Sequence, residues 1–240
     1  MWTGPLNEVL VWTFDLDAID PVAVTQVLSI DERDRAARFR FDIHRERYIA
    51  GRAALRYALA AVTGATPAEL EFAYGPHGKP ELRAGNSAYF NLSHSENRAI
   101  LGVTRAAPVG VDIERVNHER GGPEIARRFF APEEIAELER MSGAAYTAGF
   151  FECWARKEAV LKAVGTGIAG GLSSFAVPTG PMPELFHVPT PDCWIGNLSS
   201  AFPYIQTEGF ASAIALLGVP PLVGPVCGTV LRIPVRRTFK

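Results

Sequence analysis

Cysteine is scarce in this chain, with only Cys153, Cys193 and Cys227 among 240 residues. So few, so irregularly spaced, exclude a disulfide framework, and no CxxC pair offers a structural zinc site. Reduced thiols are expected. An excess of one charge is also missing. Lys and Arg number 24 against 26 Asp and Glu, a formal net charge of −2. That balance excludes a general nucleic-acid coat and a polybasic membrane anchor. No uninterrupted apolar run reaches the ~18–20 residues of a membrane span. The N-terminal stretch carries Glu8 and Asp15 and lacks a basic segment followed by an apolar run, so no leader is read there and a cytoplasmic location is expected. What remains is ordinary globular composition, 48% hydrophobic and 21% charged, in a length that admits one large domain or two lobes.

Periodicity orders the chain. Alternation around Val9, Val11 and Thr13 predicts a strand, and residues 17–30 a short helix with Pro21 near its start. Residues 31–41 are rich in arginine and read as helical. A long helix is predicted over 44–63, where Tyr48, Ile49, Ala53, Leu55, Leu59 and Val62 follow a helical period until Gly64. Strands are predicted at 71–74, 89–92, 99–103 and 109–113, with residues 75–80 a loop. An amphipathic segment at 123–130 and helices at 132–141 and 144–164 follow, the last stopped by Gly165. Further strands are predicted at 174–177, 185–188, 211–217 and 228–234. Arg52-Ala53-Ala54-Leu55 in the first long helix answers Lys157-Glu158-Ala159-Val160 in the second. The order of elements predicts an α+β protein of two similar α/β lobes in one chain, 1–106 and 107–240, with a ligand site at their junction.

Two short segments carry the chemistry. In Gly110-Val111-Asp112-Ile113-Glu114 the carboxylates stand two apart, so a strand turns both to one face. In Trp154-Ala155-Arg156-Lys157-Glu158-Ala159-Val160-Leu161-Lys162, Glu158 and Lys162 stand four apart, one above the other on a helix. Three hard oxygen ligands with a cation beside them suit Mg²⁺ and a phosphorylated substrate. Either segment alone also reads as a solvated face with a surface ion pair worth ~0.3–0.5 kcal/mol.

Phe90-Asn91-Leu92-Ser93-His94-Ser95 sets a histidine between two serines, donors suited to phosphate oxygens. A Ser–His nucleophile pair is disfavoured, since adjacent residues of an extended chain face opposite ways. Eight arginines between Arg33 and Arg56 bring bidentate phosphate donors, with Arg35 and Arg47 among them, but interleaved acids make much of the run a salt-bridged face. Lys79, in Gly78-Lys79-Pro80, is a further candidate phosphate contact.

The three motifs, in order and at these spacings, resemble the signatures of the 4′-phosphopantetheinyl transferases, and more narrowly the surfactin-synthetase-activator type, over residues 33–175. The resemblance implies two pseudo-symmetric lobes with coenzyme A bound between them. It implies transfer of the phosphopantetheine arm to a serine of an acyl or peptidyl carrier protein, with Mg²⁺ (or Mn²⁺) required and adenosine 3′,5′-bisphosphate released. Asp112, Glu114 and Glu158 match the family's metal-binding acids, and Glu158, Lys162 and His94 its catalytic set. Lys79, Ser93, His94 and Lys162 match coenzyme A contacts, and Arg35 a basic residue on the 3′-phosphate. Glu32 stands where a second basic residue would be and Tyr48 where a threonine would be, which leaves Arg33, Arg38 or Arg47 to substitute. The shorter trimeric class has chains about half this length, so a monomer is expected here, with neither nucleic acid nor membrane as partner. A coenzyme A-binding protein that no longer transfers is the alternative.

Overall fold

In a computed structural model the described residues are 8–83, 88–117, 119, 122–167, 171–182, 185–198, 208–220 and 233–236. They build two layered units on a shared core. In the first, β1 (Val9–Asp15), β5 (Arg98–Thr104) and β4 (Tyr89–Ser95) form an antiparallel sheet in the order β1-β5-β4. The helices α1 (Pro21–Val24), α2 (Ile30–Ala37) and α3 (Asp42–Thr63) accompany it, with the small hairpin β2 (Phe72–Tyr74) and β3 (Pro80–Leu82). In the second, β6 (Val109–Arg115), β9 (Phe210–Leu217), β8 (Cys193–Asn197) and β7 (Phe186–Val188) form an antiparallel sheet, order β6-β9-β8-β7. The helices α4 (Pro123–Phe129), α5 (Pro132–Leu138) and α6 (Gly143–Val164) pack with it. Among the described residues no helix is long and apolar enough to cross a membrane.

Strand alternation sets the layers. Leu10, Trp12, Phe14, Leu101 and Val103 face the alanine-rich side of α3, where Ala50, Ala53, Ala54 and Ala58 are buried. Ala211, Ala213 and Ala215 of β9 pack instead with Ala155, Ala159 and Ala163 of α6. The opposite faces meet in a core of their own: Val9, Val11 and Ile100 pack against Val109, Val111, Ile113, Ile214 and Leu216. The two sheets thus lie face to face between the long helices.

Where β4 runs beside β6, side chains tie the two strands together. Val111 N donates to Asn91 Oδ1 (2.8 Å), Ser93 Oγ donates to Asp112 Oδ1 (2.9 Å), and Arg115 N donates to Ser95 Oγ (3.0 Å). The polar side chains at 91, 93 and 95 share one side of β4, a period-two pattern that the apolar Phe90 and Leu92 interleave.

The internal duplication is visible, but in a different register from the one predicted. Both long helices have 22 residues and end on a left-handed glycine, Gly64 at φ 83° and Gly165 at φ 84°. These caps are 101 positions apart, as are the helix starts Asp42 and Gly143, so Lys157 corresponds to Arg56 rather than to Arg52. Each of these buried cations meets a carboxylate from a preceding helix: Arg56 Nε lies 2.7 Å from Glu32 and Lys157 Nζ 2.7 Å from Glu134. Each also donates to two carbonyls beyond its own helix, Pro67 and Leu70 for Arg56, Leu172 and Phe175 for Lys157. Each lies over an aromatic ring, Phe72 at 5.1 Å and Phe175 at 4.4 Å. The misregister is one helical turn, because Arg52, four residues earlier on the same face, also pairs with Glu32.

The longer helices fall close to their predicted spans, but the helix predicted over 17–30 is reduced to α1 and a 3-10 turn at Thr25–Val27; α2 shows the capping box of Ser29 and Glu32. The strand predicted at 174–177 is absent. Leu172–Ser174 is a 3-10 turn, and the extended chain after it bonds to buried side chains, with Val177 N donating to Glu134 and the Phe175 carbonyl accepting from Lys157. The strand predicted at 228–234 lies largely outside the described residues, as does Cys227.

Candidate active site

Strand β6 delivers Asp112 and Glu114 to one side, as their spacing predicts, and each meets a serine of β4. Ser93 Oγ donates to Asp112 Oδ1 and Ser95 Oγ to Glu114 Oε2, at 2.9 and 3.2 Å. From α6, Lys162 Nζ reaches Asp112 Oδ1 at 2.5 Å and Ser93 Oγ at 3.0 Å. Asp112, Ser93 and Lys162 therefore form one charge-assisted triangle. Glu158, one turn earlier on α6, is buried beside it. Asp112 Oδ2 and Glu158 Oε1 are both buried without a hydrogen-bond partner among the described residues. Unpaired buried carboxylate oxygens are costly, and they mark where a ligand would bind.

The electrostatics agree. Desolvation raises the Glu158 carboxyl above its usual range, with Asp112 adding to the rise and Lys162 opposing it. The Glu114 carboxyl is pushed up to about 7, first by desolvation and then by repulsion from Asp112, with Glu158 adding to it and Ser95 and Lys162 opposing. Asp112, Glu114 and Glu158 thus feel one another, with Lys162 the cation common to all three. Among the described residues, however, no three Asp, Glu, His or Cys side chains are gathered tightly enough to enclose a metal ion by themselves.

Glu114 gives a direct test of this acid excess. Its folded-state pKa lies above its ordinary 4.5, so its contribution to stability is complete below about 4.5 and is lost as pH rises toward 7. Glu114→Gln, melted in EDTA at pH 8, should be more stable than the parent by on the order of 1–3 kcal/mol. At pH 4.5 the two should melt together. No gain at pH 8 would mean that neither burial nor the neighbouring carboxylates disfavour the Glu114 charge.

His94 and Ser95 connect the acids to a cavity of about 670 Å³ walled by α3, the end of α2 and the β2–β3 loop. A second hollow of about 650 Å³ shares Arg35, Phe39, Tyr48, Tyr74 and Gly78 with it. Arg35 and Arg47, both expected on the ligand, line the larger cavity. Arg47 is aimed by a bidentate pair with Asp17, Nε to Oδ1 at 2.7 Å and Nη2 to Oδ2 at 2.8 Å. The Arg35 guanidinium lies 5.6 Å from the centre of the Tyr48 ring. Arg38 lines the second hollow, whereas Arg33 donates to the Leu28 carbonyl. The His94 imidazole is held below its ordinary range by desolvation first, then by the Lys162 and Arg47 cations, against the pull of Asp112. It therefore offers one N–H donor at neutral pH.

Two expected ligand contacts are committed elsewhere. Ser93 stands in the site but gives its proton to Asp112. Lys79 does not line the cavity: its ammonium donates to the carbonyls of Val109, Lys162 and Ala163, at 3.1, 2.6 and 3.2 Å. Glu32, standing where a basic residue was expected, is buried against Arg52 and Arg56 and supports the core. Sequence reasoning missed Asn91 and Asp17, and it read Ser95 as a phosphate donor, whereas its hydroxyl donates to Glu114. The polar alternation of Asn91-x-Ser93-x-Ser95 could have revealed Asn91, whereas nothing local marks Asp17 as a partner of a residue 30 positions away.

Comparison with known proteins decides the family. A model described as the 4′-phosphopantetheinyl transferase superfamily matches residues 108–199, and one described as 4′-phosphopantetheinyl transferase, N-terminal, matches residues 19–105. The 4′-phosphopantetheinyl transferase HetI of Nostoc sp. is 39% identical over 170 residues, which cover 68% of this chain and 71% of that protein. The chain belongs to the 4′-phosphopantetheinyl transferases. The Bacillus subtilis 4′-phosphopantetheinyl transferase is 33% identical over 62% of this chain and 66% of its own length. The Bacillus pumilus 4′-phosphopantetheinyl transferase psf-1 is 36% identical over 62% of each. For a phosphopantetheinyl transferase the arrangement makes chemical sense, since His94 and Ser95 link the acids and Lys162 to a cavity lined with arginines.

Proposed function

We propose that this transferase moves the 4′-phosphopantetheine arm of coenzyme A to a serine of an acyl or peptidyl carrier protein and releases adenosine 3′,5′-bisphosphate. The observation that carries the reading is the link between the acids and the cavity that Arg35 and Arg47 line: Ser95 bonds Glu114, and His94 feels both Lys162 and Asp112. The cavity arginines supply planar forks for the nucleotide phosphates. Two lobes in one chain, divided at 106/107, match the surfactin-synthetase-activator type, acting as a monomer in the cytoplasm.

In the reaction the carrier serine Oγ attacks the phosphorus bearing the pantetheine arm. That P–O bond forms as the bond to the adenosine-side phosphate breaks. Glu158 accepts the serine proton, a role that its raised pKa and unpaired Oε1 support. Lys162 and the His94 N–H stabilise the charge left on the departing phosphate. The unpaired oxygens of Asp112 and Glu158, and an excess of acids over one lysine, fit a hard divalent cation. Asp112, Glu114 and Glu158 would hold Mg²⁺ or Mn²⁺, the open set suiting an ion that keeps water and phosphate ligands. Such an ion would neutralise pyrophosphate charge.

Intact-mass spectrometry of an apo carrier protein incubated with the enzyme, coenzyme A and Mg²⁺ tests this. One phosphopantetheine mass should be gained, and the gain should vanish without Mg²⁺ or with the carrier serine replaced by alanine. Bound coenzyme A with no gain on carriers of several types would establish the non-catalytic alternative.

A further inference from the structure

The Lys79 ammonium has three N–H donors and no acceptor, and all three are spent on backbone carbonyls of the second lobe. Val109 is the first residue of β6, and Lys162 and Ala163 lie in the last turn of α6. Carbonyls of a last helical turn lack intrahelical partners and carry the negative end of the helix dipole, so a cation satisfies both needs. The loop that brings Lys79 is closed on itself: Gly75 N donates to the Lys79 carbonyl (2.9 Å), and Gly78 N to the Gly75 carbonyl (2.9 Å). The lysine stem passes close to Gly165, where a Cβ would lie 3.7 Å from Lys79 Cδ.

We infer that Lys79 is an interlobe positioning residue: carried on the first lobe, it fixes the end of α6 against the start of β6. By doing so it sets where Lys162 and Glu158 stand relative to Asp112. Burial at this seam, partly offset by Glu81, holds the ammonium down to about 8, so the carbonyls are the main compensation for its charge. This differs from a phosphate contact, which would need at least one donor free for the nucleotide. The catalytic arm of the test rests on the proposed transfer; the exchange arm does not.

Lys79→Met keeps most of the stem and removes the donors, and Lys79→Gln, retaining an amide donor, serves if the methionine variant fails to fold. Hydrogen exchange of the peptide covering residues 160–167 should quicken about tenfold or more, with the middle of α3 unchanged, because the clasp is local. With coenzyme A and a carrier protein, kcat per folded molecule should fall about 10–100-fold while the KM and the dissociation constant for coenzyme A stay within about threefold. Lys79→Arg, which retains charge and donors, should recover part of kcat. Adding Lys79→Met to Lys162→Met should cost little beyond Lys162→Met alone. A contact that merely stabilised the fold would lower the melting temperature but not kcat per folded molecule. A tenfold weaker coenzyme A affinity, with kcat and exchange intact, would overturn the inference and return Lys79 to the ligand. If the parent protein transfers nothing, the proposed function fails, and the exchange result alone decides the clasp.

Discussion

Glu158→Gln should lower kcat by about 10²–10⁴-fold, the usual worth of a positioned general base, and leave the melting temperature nearly unchanged. Glutamine preserves shape, so little packing is lost. What disappears is the acceptor for the carrier serine proton. Three features single out this carboxylate. It is buried, its Oε1 has no partner among the described residues, and its proton affinity is raised mainly by desolvation. Asp112 is committed differently: its Oδ2 is unpaired like Glu158 Oε1, but its Oδ1 accepts from both Ser93 and the Lys162 ammonium. Asp112→Asn should therefore fail differently, by leaving the Lys162 ammonium without its carboxylate, and should lower affinity for coenzyme A as well as kcat. Steady-state kinetics on an apo carrier protein separate these cases. A glutamine variant turning over at the parental rate would remove Glu158 as the base.

The site was legible in the sequence where it depends on local periodicity. Asp112 and Glu114 share a side because a strand repeats every two residues, and Glu158 and Lys162 because a helix repeats every 3.6. The spans of α3 and α6 were legible for the same reason, each closed by a glycine that adopts a left-handed conformation. Partnerships across the fold were not. The alignment of Arg52 with Lys157 missed by one turn, because two basic residues on one helix face answer the same glutamate, and only the carbonyls that they reach tell them apart. Lys79 reads from the sequence as a loop cation free for phosphate, yet its acceptors lie 30 to 84 positions away. The arginine run likewise divides only in three dimensions: Arg52 and Arg56 go to Glu32, Arg45 to Asp42, and Arg35 and Arg47 to the cavity.

Gly110→Ala should be the most damaging glycine-to-alanine change among the described residues, and its cause is space alone. A Cβ at Gly110 would lie 2.0 Å from the Ala159 carbonyl oxygen and 2.4 Å from the Ala163 nitrogen, both of them backbone atoms of α6. Neither can swing aside as a side chain does, so the helix itself must lift from β6. Gly102→Ala is the control: its Cβ would meet Val111 Cγ1 at 2.8 Å, a methyl that a rotamer change can move. Overpacking of the yielding kind costs about 1–3 kcal/mol, and Gly110→Ala should exceed that. For a chain of this size a loss above about 3 kcal/mol lowers the melting temperature by roughly 10 °C or prevents folding. Because α6 carries Glu158 and Lys162, whatever Gly110→Ala protein does fold should also lose kcat, since lifting the helix withdraws both from Asp112. Gly102→Ala should lose less stability and keep its kcat. Equal melting temperatures for the two variants would show that α6 tolerates displacement, and that its contact with β6 does not set the geometry of the site.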